Sequence, residues 1–128
     1  MTSLIDKIRQ ARRFEVIVGN ATFTGSLPTQ EQFYLYGREG VTDAEISRKC
    51  VSGWSGVTEA DLIDGGSSDP VEFSKELFDE VIGDRPDWWR PIADLVIEKF
   101  KARATEKAEA GKNSQSGSKA RASKESPQ

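Results

Sequence analysis

Residues 51–63 read VSGWSGVTEADLI, and this stretch sets Trp54 between two short Gly/Ser pairs. Just upstream, Thr42-Asp43-Ala44-Glu45 forms a capping box, which predicts the start of a helix. Gly53 is expected to end that helix in a left-handed cap, with Trp54 folding back on the last turn. Two roles stay open for the indole: it closes this turn against the core, or a partner buries it.

The chain before this stretch predicts a short helix followed by a β-hairpin. Thr2 or Ser3 offers a cap for a helix over residues 4–11. Residues 13–25 then alternate apolar and polar side chains around Gly19-Asn20, the pattern of two strands joined by a two-residue turn. Pairing across that turn places one apolar set on a common face: Phe14, Val16, Val18, Ala21 and Phe23. A lone hairpin is marginal in water, so this face is expected to lie on helices or on another subunit.

The rest of the chain predicts further helices. A capping box at Thr29–Gln32 opens a helix of about two turns, which Gly37 and Gly40 limit. Residues 69–72, Asp-Pro-Val-Glu, supply a cap, a first-turn proline and a glutamate for the next helix. The last and longest helix is expected within residues 84–111, with Pro91 in or near its first turn because a deeper proline would remove a hydrogen bond.

Composition divides the chain into an acidic body and a basic end. Residues 1–100 carry 18 acidic and 11 basic side chains, whereas residues 101–128 carry 3 acidic and 7 basic. No Leu, Ile, Val or aromatic residue follows Phe100. We therefore expect a structured domain over 1–110 and a disordered polar and basic tail over 111–128. The predicted fold is mainly α, of the α+β class: a small helical domain with one N-terminal β-hairpin, a long C-terminal helix and the disordered tail.

Residue usage narrows the chemistry. The chain has no histidine and a single cysteine, Cys50, so zinc sites, histidine-assisted nucleophiles and an internal disulfide have no residues to build them. We predict no catalytic residue, no metal site and no cofactor. No window approaches the ~20 apolar residues that cross a bilayer, so we expect a soluble, cytoplasmic chain without a membrane partner. The basic tail lacks interleaved aromatic residues and the body is acidic, so no nucleic-acid partner is expected.

Trp88 and Trp89 are adjacent, and this pair is the strongest hint of a binding surface. Neighbouring residues on a helix point about 100° apart, so both indoles cannot enter the same pocket. One is expected to pack against Phe78 and Val81, while the other stays partly exposed, as tryptophans at protein interfaces do. Coverage of both by the hairpin is the alternative.

Four segments in order give the chain a family resemblance. They are a strand leading into a capped helix (FTGSLPTQEQF, 23–33), a helix running into a W-x-G-V turn (RKCVSGWSGV, 48–57), an F-S-x-E-L-F helix (FSKELFDEVI, 73–82) and RPDWWRPIADLVIEKF (85–100) with an Ala/Lys/Glu extension. In this order the set, which covers about residues 13–113, resembles the tail assembly chaperones of long-tailed bacteriophages.

The resemblance implies a function and partners. Such a chaperone binds the long helical tape-measure protein, keeps it soluble and helps recruit tail-tube subunits in the host cytoplasm, and it is generally absent from the finished virion. Candidate partner-binding residues are Trp54, Trp88, Trp89 and Phe78. An apolar groove rimmed by charge would suit an amphipathic client helix. A possible homo-oligomer is expected as well, because the unpaired strand edges of a hairpin could be covered by a neighbouring subunit. A structural phage protein, such as a head–tail connector or minor tail component, and a small carboxylate-based enzyme are the rival classes.

Overall fold

A computed structural model describes residues 2–114 and contains a three-stranded antiparallel sheet among its helices. The elements in chain order are α1 (Leu4–Ala11), β1 (Arg13–Val18), β2 (Ala21–Ser26), α2 (Gln30–Glu39), α3 (Asp43–Cys50), β3 (Val51–Ser55), α4 (Glu59–Leu62), α5 (Lys75–Ile82) and α6 (Pro86–Ser114). This confirms the α+β class with a hairpin and a long last helix. The disordered tail predicted over 111–128 is wrong for residues 111–114, which belong to α6; the rest of it, 115–128, lies outside the described residues.

The first helix and the hairpin form as the sequence predicts. Ser3 caps α1, its hydroxyl accepting a hydrogen bond from the Asp6 backbone N–H at 3.1 Å. In the hairpin, Val18 pairs with Ala21 and Val16 with Phe23. Gly19 has a φ of 61°, the positive value that its two-residue turn requires. The apolar face of the hairpin is thereby directed toward the core, apart from the half-buried Val18.

The predicted left-handed cap at Gly53 is wrong. α3 passes directly into a third strand, β3, which pairs with β2 so that Trp54 lies opposite Phe23. Gly53 is not among the glycines with positive φ. The β2 edge of the hairpin carries unpaired backbone groups, and β3 satisfies them where a helix cap could not. Gly25 permits the close approach, because a Cβ there would overlap the Cys50 carbonyl oxygen.

The helix predicted to begin at Asp69-Pro70 starts instead at Lys75, where the Ser74 hydroxyl accepts from the Leu77 N–H at 3.0 Å. Residues 69–71 are extended and pair with residues 57–59. Pro70 forms a bridge with Thr58, and the Val71 N–H donates to the Val57 carbonyl at 2.9 Å. This pairing satisfies the backbone of the segment, so a helix there would break bonds that the extended chain makes.

The two central helices keep their predicted caps. Thr29 and Gln32 form a reciprocal capping box at the start of α2, and Gly40 ends that helix with a φ of 67°. The predicted limit at Gly37 is wrong, because α2 continues through it to Glu39 and with ten residues is nearer three turns than the predicted two. The Thr42 hydroxyl accepts from the Glu45 N–H at 3.2 Å and so caps α3.

The long last helix begins at Pro86, which places Pro91 in its second turn rather than its first. The described part of the chain divides into two units, one ending at Ile97 and the other beginning at Glu98. None of the helices described is long and apolar enough to span a membrane. The first unit holds one continuous apolar core between the inner sheet face and the helices. Its buried members are Phe14, Val16, Ala21, Phe23, Leu27, Ile46, Cys50, Val51, Val57, Phe78, Ile82, Trp88, Ile92, Ala93 and Val96.

Candidate functional site

Aromatic rings from four parts of the chain meet on the inner face of the sheet. Trp54 of β3 lies 6.5 Å from Phe23, 6.2 Å from Phe78 and 6.3 Å from Trp88, measured between ring centroids. Phe73, in the extended segment before α5, meets the Trp54 ring edge to face at 5.2 Å. We call these five residues the aromatic cluster. Edge-to-face and tilted contacts of this kind add to the stabilisation that burial alone provides.

Trp54 anchors the extended segment that precedes α5. Its indole N–H donates to the Val71 carbonyl at 2.8 Å, and the ring remains half-buried. The two flanking Gly/Ser pairs therefore serve a strand and not a helix cap: Gly53 faces Thr24 in β2, and Gly56 turns the chain with a φ of 75°. The indole thus packs against this protein's own core, as the first of the two predicted roles required. It does so from a strand and against the extended segment before α5, instead of closing the end of a helix.

Trp88 and Trp89 diverge as the helical geometry predicts. Trp88 is 3% exposed and packs on Phe23 at 5.0 Å, with the Arg85 guanidinium 3.9 Å above its ring. Trp89 is half-buried; the Ser47 hydroxyl donates to its carbonyl at 3.4 Å, and Arg90 lies 5.3 Å from its ring. The indole that enters the core thus contacts the sheet.

The four residues predicted to bind a partner therefore fall into two groups. Phe78 is 0% exposed and Trp88 is 3% exposed. Both belong to the core, so neither offers an accessible surface to a partner. Trp54 and Trp89 each keep part of their surface open to solvent. Only these two can touch a partner without rearrangement of the core.

An open cleft of about 450 Å³ lies between α2 and α3, at the start of α5. Leu35 and Tyr36 of α2 give it an apolar wall, and Leu35 is 42% exposed. Charged and polar side chains surround that wall: Gln32, Glu39, Arg48, Lys49 and Lys75. The sequence pattern did not indicate this cleft; the available signal was the run of four apolar or aromatic residues, 33–36, that follows the α2 capping box.

Ion pairs hold the cationic side of the cleft in place. Arg48 pairs with Glu45, and its Nε donates to the Asp79 carbonyl at 3.2 Å. Lys75 pairs with the Asp79 carboxylate at 3.1 Å and donates to the Arg48 carbonyl. Lys49 lies 5.6 Å from the Tyr36 ring, within the range of a cation–π contact. The side chains around the cleft thus carry charges of both signs, and their contacts link α2, α3 and α5.

The buried thiol behind this cleft is not a nucleophile at neutral pH. Burial raises the pKa of Cys50 to about 11, against the weaker opposing effects of Lys75, Lys49 and Tyr36. Burial, with a smaller effect of Cys50, also raises the pKa of Tyr36. Both groups are protonated at pH 7, so Cys50 packs as a small apolar residue.

Residues 2–114 contain no group of three or more His, Cys, Asp or Glu side chains placed to hold a metal ion. In the comparisons with known proteins, no family model, curated protein or solved structure matches the chain. Two candidate binding surfaces are the α2–α3 cleft and the partly exposed indoles of Trp54 and Trp89.

Proposed function

We propose that this chain is a bacteriophage tail assembly chaperone. It binds the tape-measure protein, keeps that long helical protein soluble and helps recruit tail-tube subunits in the host cytoplasm, and it leaves before the virion is complete. The support begins with the ordered segments that carry the resemblance. Those segments span β2 into α2 (23–33), α3 into β3 (48–57), the start and body of α5 (73–82), and the first turns of α6 (85–100).

The observation that carries the proposal is the α2–α3 cleft. A helix-binding site needs an apolar wall for the hydrophobic face of the client and charges for the polar flanks. Leu35 and Tyr36 supply the wall, while Glu39, Arg48 and Lys49 supply charges of both signs. A volume of about 450 Å³ takes several side chains of one helix face.

The candidate tryptophans do not line this cleft, and they differ in whether a client can reach them. Trp54 and Trp89, both half-buried, are the aromatic residues among the four candidates that a client can contact directly. Phe78 and Trp88 support the site from the core, because the aromatic cluster fixes the positions of β3 and α5.

A charge inserted into the apolar wall tests the proposal. Leu35→Glu should weaken binding of an amphipathic tape-measure segment at least about tenfold, because it places a carboxylate where an apolar side chain of the client would be buried. The matched control is Ile17→Glu on the outer face of β1, where Ile17 is 69% exposed and does not line the cleft. Calorimetric titration of both variants, after circular dichroism has shown equal folding, gives the comparison.

Two outcomes would contradict the proposal. Equal binding by Leu35→Glu and wild type would remove the cleft as the client site. Stoichiometric amounts of the protein in purified phage particles would support a head–tail connector or minor tail component instead, because a chaperone leaves before the particle is finished.

A further inference from the structure

The first helix, α1, presents an apolar stripe to solvent. Leu4, Ile5 and Ile8 are 72%, 59% and 44% exposed, and no residue of α1 is buried. Because successive residues of a helix are rotated by about 100°, these three share one face, and Lys7 and Arg9 lie on its two flanks. α1 is therefore a basic amphipathic helix with its apolar face open. We call the three apolar residues the α1 stripe.

A groove of about 200 Å³ between α4 and α5 has the complementary composition. Its floor is Leu62 of α4 and Val81 of α5, both packed against the core. Asp61 lies beside Leu62, while Glu80 and Asp84 lie beside Val81. We call this site the α4–α5 groove. Among residues 2–114, the carboxylates of Glu80 and Asp84 take part in no ion pair, so they are available to a basic partner.

The remaining cation at this groove is already engaged. Arg85 also lines it, but its guanidinium pairs with the Asp87 carboxylate at 2.8 Å and lies over the Trp88 ring. The pairing with Asp87 lowers the pKa of that carboxyl and keeps the ion pair formed at neutral pH. Because its charge is already paired with Asp87, Arg85 does not neutralise the carboxylates of Glu80 and Asp84 on the rim.

Within one copy of the chain, α1 cannot occupy this groove. Arg12 alone separates α1 from Arg13, the first residue of β1, so the helix is held at that end of the strand. The other end is near the groove, because Val18 lines a small pocket together with Asp61 and Arg85. Six residues of strand span roughly 17 Å or more, too far for a helix tethered by one residue. The helix that fits the groove must come from another molecule.

Charge favours a second copy of the same chain as that molecule. Residues 1–13 carry four basic side chains and one acidic, whereas residues 14–97 carry 16 acidic and 6 basic. The basic N-terminal segment of one copy is therefore attracted to the acidic body of a neighbouring copy. We propose that the α1 stripe of one copy docks into the α4–α5 groove of the next, with Lys7 and Arg9 against the acidic rim.

This contact joins two different surfaces and so leaves one free helix and one free groove on each pair. A heterologous interface of that kind continues into an open chain or closes into a ring. The contact needs no client, so the purified chain alone tests it, and its failure leaves the proposed client cleft untouched.

Sedimentation velocity of the full chain from low to several hundred micromolar is the first measurement. We expect the mean mass to rise beyond that of a dimer with concentration and to fall as salt screens the charged rim. A chain that stays monomeric throughout this range would overturn the proposal.

Two variants that each disable one surface give the decisive test. Ile8→Glu disables the stripe, and the double variant Glu80→Lys/Asp84→Lys disables the groove; each should associate at least about tenfold more weakly than wild type. Mixed together they should form a one-to-one dimer that grows no further, because each retains the surface that the other lacks. A mixture that remains monomeric would contradict head-to-tail docking.

Controls separate this contact from other kinds of association. Ile17→Glu, on the edge strand β1, should associate like wild type; if it abolishes association instead, the copies pair through strand edges and the proposal fails. If circular dichroism shows Ile8→Glu to be misfolded, Leu4→Glu replaces it, because Leu4 is the most exposed residue of the stripe.

Discussion

At the scale of single residues, two glycines differ sharply in what surrounds them. A Cβ on Gly25 would overlap the backbone at Cys50 and Val51, where α3 turns into β3, whereas a Cβ on Gly37 in α2 would meet no atom within 4 Å. Gly25→Ala should therefore lower the free energy of unfolding by more than about 2 kcal/mol, since backbone atoms must move. Gly37→Ala should raise it by roughly 0.5–1 kcal/mol through helix propensity. Denaturant unfolding of both variants checks this; equal effects would contradict the position of β3.

Trp54 combines packing with one hydrogen bond, and two substitutions separate these contributions. Trp54→Ala should cost about 2–4 kcal/mol, because it removes a ring that contacts four others. Trp54→Phe keeps an aromatic ring but leaves the Val71 carbonyl without its indole donor, which should cost about 1–2 kcal/mol. Guanidinium unfolding followed by circular dichroism measures both. A loss of under about 1 kcal/mol for Trp54→Ala would assign the indole to a partner surface instead.

The buried thiol of Cys50 makes stability depend on alkaline pH. Its pKa rises from 9.0 to about 11 on folding, so below pH 9 the thiol is protonated in both states and stability is fully retained. Above that value the unfolded chain loses the proton first, and stability should fall by on the order of 2 kcal/mol as the pH passes through about 11.

The control for this pH dependence is Cys50→Ala, which has no thiol to titrate. Its unfolding free energy should fall less steeply than that of wild type over the same pH range. The slope that remains in the variant belongs to other groups, among them Tyr36, whose pKa is also raised. Identical slopes for the two proteins would show that Cys50 is not buried as the structure places it.

Single residues also show what sequence patterns can predict and what they cannot. The hairpin register followed from alternation, since a shift by one residue would turn every apolar side chain away from the core. The setting of Trp54 did not follow, because a glycine before an aromatic residue fits a helix cap as well as a strand. Only the free edge of β2, which is 28 residues or more upstream of it, decides between them.

At the scale of elements, the start of α5 offers a direct test of structure against pattern. Ser74→Ala should destabilise the protein by about 1 kcal/mol, because it removes the hydroxyl that accepts from Leu77. Asp69→Ala should change stability by less than about 0.5 kcal/mol, since Asp69 uses its backbone groups for pairing. Thermal unfolding of the two variants checks this. If Asp69→Ala lowers stability more than Ser74→Ala does, the helix begins at Asp69, as the Asp-Pro sequence predicts, and not at Lys75.

The two element-level errors share one physical cause. Gly53 and Asp69-Pro70 both match local helix signals, and both lie in segments whose backbone pairs with distant chain. Local signals describe what a segment prefers alone, while pairing across the fold depends on backbone groups that no short window contains. Features decided locally, such as the capping box of α2 and its end at Gly40, were predicted correctly.

At the scale of the whole molecule, the sequence predicted the core better than the surface. Alternation predicted the inner face of the hairpin, and four of its five apolar residues are buried, with Val18 packed against the core. The α2–α3 cleft and the α4–α5 groove arise where separate helices meet, so no stretch of sequence contains either. The candidate tryptophans illustrate the limit: the pattern indicated that Trp88 and Trp89 diverge, but not that Trp88 would be the one buried.

The central claim is that the α2–α3 cleft binds the helices of a tape-measure protein, and co-expression tests it most directly. Segments of a phage tape-measure protein would be expressed alone, with wild type, with Leu35→Glu and with Ile17→Glu, and their soluble fraction measured. We expect wild type and Ile17→Glu to hold the segments in solution as a complex, and Leu35→Glu to leave most of them insoluble. Segments that stay insoluble with wild type, or that Leu35→Glu solubilises equally well, would contradict the account.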